Sequence, residues 1–284
     1  MQTEFLEDVK FKNCSILSEQ DKTYCKISNI VEAIREILRY DKAQQQPLFL
    51  KVNDGFIFNI ARKILIQKSK TLLVAIAGES ASGKTTFVQS AINSVMMRQN
   101  SEICSVVCCD DYYKDTSLEL EQAGSYENLY KTGFSFDTPD VVDLELMKKH
   151  LLKLKNGEEI RSPQYDFVTC KSTLNAQLKK PAQVVLNEGL YVLTDGLKDI
   201  MDVKVYVFTP FNVIKDRWYQ RAASRGKSGS AADMQFEDVN RTAQVYIRPA
   251  LQHADVVLNG LVSCEYIEEI VDKIFKAIHA ALGN

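Results

Sequence analysis

A glycine-bearing turn directly after an apolar run limits the folds open to this 284-residue chain more than any other feature. Residues 78–85 read GESASGKT and match the pattern G-x-x-x-x-G-K-[ST], and the run Leu72–Ala77 before them reads LLVAIA. Between a buried strand and a helix, this pattern folds into a loop whose backbone N–H groups surround phosphate. An amphipathic pattern after the loop predicts that helix, through Phe87, Val88, Ala91, Ile92, Val95 and Met96. A small-residue surface turn with an incidental lysine is the alternative, and both flanking patterns disfavour it.

The residue types of this loop suit a nucleoside triphosphate. Gly78 and Gly83 permit backbone angles and close approaches that a side chain would block. The helix that begins near Lys84 adds its free N–H groups and the positive end of its dipole. We expect Lys84 to contact the outer phosphates and Thr85 to offer its hydroxyl to Mg²⁺, so the predicted cofactors are ATP and Mg²⁺. The predicted nucleotide-binding residues are Gly78, Glu79, Ser80, Ala81, Ser82, Gly83, Lys84, Thr85 and Thr86.

Apolar runs alternate with helical patterns from Thr71 onward. This alternation predicts an α/β fold with a mainly parallel sheet flanked by helices. In such sheets, ligands bind outside the carboxyl ends of the strands. The predicted strands are Leu72–Ala77, 103–109, 184–186, Val203–Phe208 and 256–258.

The first 69 residues carry no chemistry that the sequence identifies. We predict an N-terminal α-rich extension of unknown role over 1–69 and a nucleotide-binding domain over 70–284. Apolar residues at helical spacing predict a helix over about 28–40 with Ser28 as its N-cap. A short strand over 48–52, a turn over 53–55 and a second helix over 56–65 follow.

Composition excludes several classes of protein. Lys and Arg number 35 against 37 Asp and Glu, which argues against a general affinity for nucleic acid or anionic lipid. The seven cysteines have no regular spacing, so we expect reduced thiols, no zinc site and a cytoplasmic location. The start MQTEFLEDVK has no apolar signal core and no run reaches transmembrane length, so no membrane partner is expected.

Carboxylates follow two of the predicted strands. Asp110 comes directly after the run 103–109, where a carboxylate can accept a hydroxyl proton and approach magnesium. Glu188 follows the apolar run 184–186 and precedes Gly189 in the segment VVLNEG (184–189), where it can hold the metal or its water shell. The alternative for both is an acidic turn with a solvated side chain.

Basic residues collect on the helical pattern after Pro210. Arg217, Arg221, Arg225 and Lys227 lie in or next to it, and a Gly/Ser/Ala-rich loop is predicted over 226–232. Arginines can neutralise the charge of a transferring phosphoryl group, and a small-residue loop can close as a lid. Basic residues near a helix carboxyl end also complement the helix dipole, so this alternative stays open.

Six segments together resemble the uridine kinase and phosphoribulokinase family over about 71–260. They are GESASGKT at 78–85, DDYYKD at 110–115, FSFDTPDVVD at 134–143, SPQYDF at 162–167, VVLNEGLYVL at 184–193 and RPALQHADVVLNG at 248–260. The resemblance implies a P-loop NTPase fold of the kinase type. It also implies oligomers, which the family often forms, so a homo-oligomer is an expectation.

The resemblance implies roles for individual residues. Asp110 matches the acid that accepts the proton of the nucleoside 5′-hydroxyl, and Asp137 matches the aspartate that holds the ribose hydroxyls. Tyr165 and Phe167 match aromatics that flank the pyrimidine; without the family, they would be read as core packing and Asp137 as part of a turn. The predicted catalytic residues are thus Asp110, Lys84, Arg217 and Arg225, the substrate-binding residues Asp137, Tyr165, Phe167 and Arg217, and the metal ligands Thr85, Glu188 and Asp110.

The chain departs from the uridine kinase pattern after YDF. Cys170 stands where that pattern has a histidine that reads the base, and Ser172 stands at an arginine position. Gln220 and Lys227 replace further arginines. Because a thiol is a weak hydrogen-bonding group compared with imidazole, a pyrimidine edge would be read less well.

These observations predict an ATP- and Mg²⁺-dependent small-molecule kinase that moves the γ-phosphate to a hydroxyl group. The leading acceptor is the 5′-hydroxyl of uridine or cytidine. One alternative is a sugar-phosphate or other metabolite kinase, like phosphoribulokinase or pantothenate kinase. A non-catalytic nucleotide-sensing regulatory protein is the other, although no N-K-x-D-like segment for guanine is present.

Overall fold

The computed structural model describes residue 12 and residues 18–53, 55–66, 71–96, 103–225 and 228–282. Lys227, Cys14, Asp54 of the predicted turn and the start of the predicted lid loop lie outside these residues. The helices are α1 Glu19–Lys42, α2 Phe56–Leu65, α3 Lys84–Met96, α4 Ser117–Ala123, α5 Tyr126–Lys131, α6 Leu144–Lys155, α7 Phe211–Ser224, α8 Gly229–Thr242 and α9 Cys264–Leu282. The strands are β1 Phe49–Val52, β2 Leu72–Ala77, β3 Cys104–Cys108, β4 Ile160–Asp166, β5 Lys171–Lys179, β6 Val184–Gly189, β7 Val203–Phe208 and β8 Val256–Asn259.

The described residues form two compact units. The terminal unit takes its residues from Met1–Lys70, Thr86–Ser101 and Asp255–Asn284. The P-loop unit takes its residues from Thr71–Thr85 and Glu102–Ala254. The boundary predicted at residue 70 stays a prediction.

In the terminal unit, α1 begins nine residues before the predicted start. Its N-cap is Ser18, whose hydroxyl accepts a hydrogen bond from the Asp21 N–H, and the N-cap predicted at Ser28 is wrong. The polar first turns of α1 carry no apolar periodicity, but a capped acidic first turn favours a helix start at this point. Ile27 of α1, Ala61 of α2 and Ala281 of α9 belong to one buried cluster.

The strand β1 and the helix α2 confirm the two other elements predicted before residue 70. Asp41, which is buried, accepts hydrogen bonds from the N–H groups of Leu48 (2.7 Å) and Phe49 (2.8 Å) and from the hydroxyl of Tyr266 (2.8 Å). This carboxylate therefore fixes the chain where it enters β1. The strand β1 pairs with β8 in antiparallel register.

In the P-loop unit, β7, β2, β6 and β3 lie side by side in that order and run parallel. The predicted parallel sheet is confirmed. The strand β3 ends one residue earlier than predicted, because Cys109 begins a short 3₁₀-helix, Cys109–Tyr112. The strand β6 continues to Gly189, because Asn187 to Gly189 keep pairing with β2. The carboxyl ends of β2, β3 and β6 therefore meet at one edge.

Two features of the P-loop unit differ from prediction or were not predicted. The strands β4 and β5 form an antiparallel hairpin that sequence reasoning missed, since neither strand contains a buried apolar run: β5 has no buried residue, and β4 mixes buried with exposed residues. The predicted loop over 226–232 is wrong from Gly229 onward, where α8 begins. The side chains of Ala232, Phe236 and Val239 pack with Trp218 and Ala222 of α7, and this burial holds the small-residue segment in a helix.

The cysteines only partly match the expectation of reduced thiols. Among the described residues, Cys104, Cys108, Cys109, Cys170 and Cys264 are free thiols, whereas Cys25 is disulfide-bonded. Disulfide pairing cannot be deduced from sequence spacing alone, so the pattern gave no sign of this bond. None of the helices in the described ranges has the length and apolar character that crossing a membrane requires.

Candidate active site

The loop 78–83 joins β2 to α3 and surrounds the side chain of Lys84. Lys84 is buried, and its ammonium donates to the carbonyl oxygens of Gly78 and Glu79, each at 2.9 Å. Burial lowers the pKa of Lys84, while the charges of Asp110 and Glu188 act in the opposite direction. The lysine is thus placed at the mouth of the loop together with two carboxylates.

The backbone of this loop depends on glycine at its first position. Gly78 has a φ of +152°, and a Cβ there would lie 2.6 Å from the Val207 carbonyl oxygen and 2.7 Å from Ser82 Oγ. Ser82 is buried, its carbonyl accepts a 2.8 Å hydrogen bond from Thr209, and its own hydroxyl has no partner among the described residues. A fixed loop with an orphaned buried hydroxyl and a lysine held only by carbonyls fits a phosphate ligand.

Thr85 and Glu188 meet at the edge of the sheet. The Thr85 hydroxyl donates to the Glu188 carboxylate, at 3.1 and 3.2 Å from its two oxygens, and the Cys108 thiol lies 3.7 Å from Oε1. Burial raises the pKa of Glu188, and Lys84 and the bond to Thr85 oppose this shift. Hydroxyl and carboxylate oxygens are ligands that Mg²⁺ prefers.

No group of three or more His, Cys, Asp or Glu side chains within the described ranges could by itself hold a metal ion. Magnesium at kinase sites is bound through one or two carboxylates together with the phosphates and water, so the donor set of Thr85 and Glu188 fits it.

Asp110 stands in the 3₁₀-helix that directly follows β3. Its side chain keeps solvent access, yet the surrounding protein desolvates it and raises its pKa. The charges of Lys84, Arg221 and Arg225 oppose this rise. A carboxylate that is both accessible and closely surrounded has the surroundings expected of a general base.

The arginines of α7 and Arg225, its C-cap, differ in what they contact. Arg221 donates a hydrogen bond to the hydroxyl of Ser80 in the loop, and Arg225 lies over the ring of Phe167, 5.8 Å from its centroid. Arg217 is partly buried one turn before Arg221. Arg221 is a site residue that the predicted set left out, although its four-residue spacing from Arg217 and Arg225 places all three on one helix face.

Tyr165 and Phe167 lie in an aromatic cluster with Tyr113. The ring centroids are 5.2 Å apart for Tyr113 and Tyr165, 5.6 Å for Tyr113 and Phe167, and 5.0 Å for Tyr165 and Phe167. Tyr165 is buried, and its hydroxyl lies 3.1 Å from the hydroxyl of Thr116, whereas Phe167 is 45% exposed. After Arg221, Tyr113 is the second site residue that sequence reasoning missed. Its position three residues after Asp110 is the sequence feature that could have identified it.

Asp137 lies on the loop between α5 and α6. Its N–H donates to Ser135 Oγ at 3.1 Å, and that hydroxyl donates to Asp238 of α8. Burial raises the pKa of Tyr113, and the charges of Asp137 and Asp110 raise it further. The carboxylates of Asp137 and Asp110 therefore both lie within electrostatic reach of the Tyr113 hydroxyl in the P-loop unit.

A sequence profile for the Phosphoribulokinase / Uridine kinase family matches residues 73–266. The chain belongs to this family. It is 29% identical over 219 residues to a uridine kinase of Vibrio vulnificus (strain YJ016), across 74% of this chain and 99% of that protein. It is 27% identical over 214 residues to a uridine kinase of Aliivibrio salmonicida (strain LFI1238), across 72% of this chain and 96% of that protein.

One solved structure shows the shared fold. A protein of Silicibacter sp. TM1040, described as a candidate fructose transport system kinase, superposes with a TM-score of 0.53 at 22% identity. The match covers 66% of this chain and 92% of that chain. With the family match, the fold is that of a P-loop kinase, and the chain is a small-molecule kinase.

The side chain of Cys170, which stands at a histidine position of the family pattern, is not accessible to solvent. Its side chain is buried, its φ is +55°, and its sulfur lies 3.3 Å from the hydroxyl of Tyr126. Because the thiol is engaged with a phenol, it offers little to an incoming base. Ser172, at the arginine position, donates its N–H to Asp115 at 3.2 Å.

Arg248, in the last family segment, holds the loop from the side of α8. Its guanidinium donates to both carboxylate oxygens of Glu79, at 3.1 and 2.9 Å, and to the side chain of Asn240 at 2.7 Å. Bidentate pairs of this kind are strong and directional. Sequence reasoning assigned Arg248 no role, since one arginine before a proline carries no sign of its distant partner.

Proposed function

We propose that this kinase transfers the γ-phosphate of ATP, with Mg²⁺, to a hydroxyl group of a small metabolite, with the 5′-hydroxyl of uridine or cytidine as the leading acceptor. The observation that carries the proposal is the grouping of Lys84, Glu188 and Asp110, whose charges act on one another beside the loop 78–83. The uridine kinase relatives support the choice of acceptor. A cytoplasmic location and a homo-oligomer stay predictions.

Each residue has a distinct task in this proposal. Lys84 and the loop N–H groups hold the phosphates, and Thr85, Glu188 and Asp110 would hold the magnesium. Magnesium would supply neutralisation of the phosphate charge. The acceptor oxygen forms its bond to the γ-phosphorus while the bond from that phosphorus to the ADP oxygen breaks, and Asp110 takes the acceptor proton. Arg217, Arg221 and Arg225 stabilise the negative charge on the transferring group.

The test is an acceptor screen with the full chain, in which ADP release is measured with ATP, Mg²⁺ and a panel of nucleosides, sugars, sugar phosphates and pantothenate. Replacing Asp110→Asn removes the base and keeps the shape, so we expect turnover to fall about 100-fold or more. The affinity for ATP should be retained, because the loop is intact.

A matched control is Asp195→Asn, since Asp195 is 94% exposed and pairs with Lys198 on the surface. This variant should keep full turnover. Acceptor-independent ADP release would contradict transfer to a hydroxyl acceptor, and full turnover by Asp110→Asn would contradict the proposed role of Asp110.

A further inference from the structure

One carboxylate of α8 holds the loop between α5 and α6. Asp238 of α8 is 14% exposed and accepts a hydrogen bond from the hydroxyl of Ser135, which is buried on that loop. The same hydroxyl accepts a 3.1 Å hydrogen bond from the N–H of Asp137. Ser135 therefore links the backbone at Asp137 to a residue that lies 103 positions after Ser135 in the chain.

The loop depends on this link because it has no regular structure of its own. Residues 134–138 belong to no helix and no strand. The ring of Phe136 packs edge-on against Phe134, with 4.9 Å between the centroids. Ring packing holds the Phe136 side chain, whereas a hydrogen bond is directional and orients the backbone that donates it. The direction in which Asp137 projects from the loop thus depends on Ser135.

Asp238 is a firm anchor for the Ser135 hydroxyl. A carboxylate makes stronger hydrogen bonds than a neutral acceptor, and its second oxygen, Oδ1, accepts from the guanidinium of Arg241 on the same helix. Phe236 and Val239, which flank Asp238 on α8, are buried in the cluster that joins α8 to α7. Because that cluster is built from apolar side chains, α7 and α8 should stay packed when the bond to Ser135 is broken.

We infer that Asp238 and Ser135 are positioning residues, which orient Asp137 and thereby set the affinity of the site for its acceptor. This inference rests on the proposed function and on the expectation that Asp137 contacts the acceptor. It goes beyond that function by assigning part of the acceptor affinity to a carboxylate on another helix, which acts only through Ser135.

The first measurement is hydrogen exchange of the Asp137 N–H, by NMR on the full chain without ATP or acceptor. We expect exchange to be at least about threefold faster in Ser135→Ala, which removes the partner of this N–H, and in Asp238→Ala, which frees the Ser135 hydroxyl to rotate. Asp238→Asn keeps an oxygen that can accept from Ser135 and should exchange like the wild-type chain. The matched control is Glu237→Ala, since Glu237 is exposed and precedes Asp238 on α8. This control should also exchange like the wild-type chain.

The second measurement is ADP release with ATP and uridine as the probes, with titration calorimetry for the affinity of each. In Ser135→Ala and Asp238→Ala, we expect KM and Kd for uridine to rise about 3- to 10-fold, with kcat within about twofold. The double variant should be no more than about twofold worse than the worse single variant, because both substitutions break one link. Asp238→Asn should bring KM back to within about twofold of the wild-type value. The Kd for ATP should be unchanged in all variants, because α7 and α8 stay packed.

Unchanged exchange of the Asp137 N–H in both alanine variants would overturn the inference. Faster exchange with unchanged KM and Kd for uridine would also overturn it, as would KM rises that multiply in the double variant. A parallel loss of ATP affinity, or an Asp238→Asn variant as weak as Asp238→Ala, would show a general structural defect and would overturn it as well.

The wild-type chain separates this inference from the proposed function. Uridine binding without acceptor-dependent ADP release would contradict the proposed function alone, because exchange and binding would still decide the positioning roles. No binding of uridine by the wild-type chain would overturn both.

Discussion

Gly189 lies where any side chain would press on the residue before the proposed base. Its φ is +154°, and a Cβ built there would lie 2.1 Å from Cys109 Cβ and 3.1 Å from Cys109 Sγ. Neither residue has free space to move into, since Gly189 pairs with β2 as part of β6 and Cys109 is 1% exposed. In a Gly189→Ala variant, Cys109 must therefore move, and Asp110 must move with it.

The expected cost has two parts. A non-glycine residue in this backbone region costs roughly 1–3 kcal/mol. Overpacking against a fixed neighbour typically costs another 1–3 kcal/mol, so the free energy of unfolding should fall by about 2–6 kcal/mol. The control Gly157→Ala has a φ of +85° with no atom within 4 Å of the new Cβ. Gly157→Ala should therefore lose only the backbone contribution, roughly 1–2 kcal/mol of the free energy of unfolding.

The assay is guanidinium unfolding of both variants, followed by turnover of the folded fraction. We expect a larger loss of unfolding free energy in Gly189→Ala and a roughly 100-fold drop in its turnover, in line with the cost of a misplaced catalytic group. Gly157→Ala should keep its turnover. Equal destabilisation of the two variants, or full turnover by Gly189→Ala, would refute the argument that Cys109 packing positions Asp110.

Two further predictions concern arginines beside the loop. Burial raises the pKa of Asp110 and Arg221 opposes that rise, so Arg221→Ala should raise this pKa further. Only the deprotonated carboxylate is a base, so the acidic limb of kcat/KM should move to higher pH in this variant, and an unmoved limb would show that Arg221 is too distant to matter. Arg248→Ala removes the bidentate pair with Glu79, and titration should show roughly tenfold weaker ATP binding. Arg241→Ala, which removes a side chain that is 67% exposed, should bind ATP normally. Equal ATP affinities of the two variants would argue against Arg248 as a positioning residue.

The parts of the fold that follow from local pattern could be predicted from the sequence. The strand β2, the loop and α3 are adjacent in the chain, so the pattern G-x-x-x-x-G-K-[ST] between a strand and a helix defines them together. The carboxylates at 110 and 188 could be placed because parallel strands end at one edge of the sheet. The structure brings Thr85 and Glu188 into a hydrogen bond, as that reasoning requires.

The parts of the fold that depend on contacts between residues far apart in the chain could not be predicted from the sequence. Arg248 and Glu79 are 169 positions apart in sequence, and the burial of Ala232 in α8 depends on Trp218 of α7. The early start of α1 depends on a cap at Ser18, which an apolar pattern does not show. Only the structure shows that the buried hydroxyls of Tyr130 and Tyr191 have no hydrogen-bond partner among the described residues.

A crystal structure of the full chain with a non-hydrolysable ATP analogue and Mg²⁺ tests the central claim most directly. Lys84 now donates to the carbonyls of Gly78 and Glu79. We predict that its ammonium turns to the outer phosphates and that the terminal phosphate faces Asp110. A triphosphate bound elsewhere, with Lys84 still on those two carbonyls, would contradict the account.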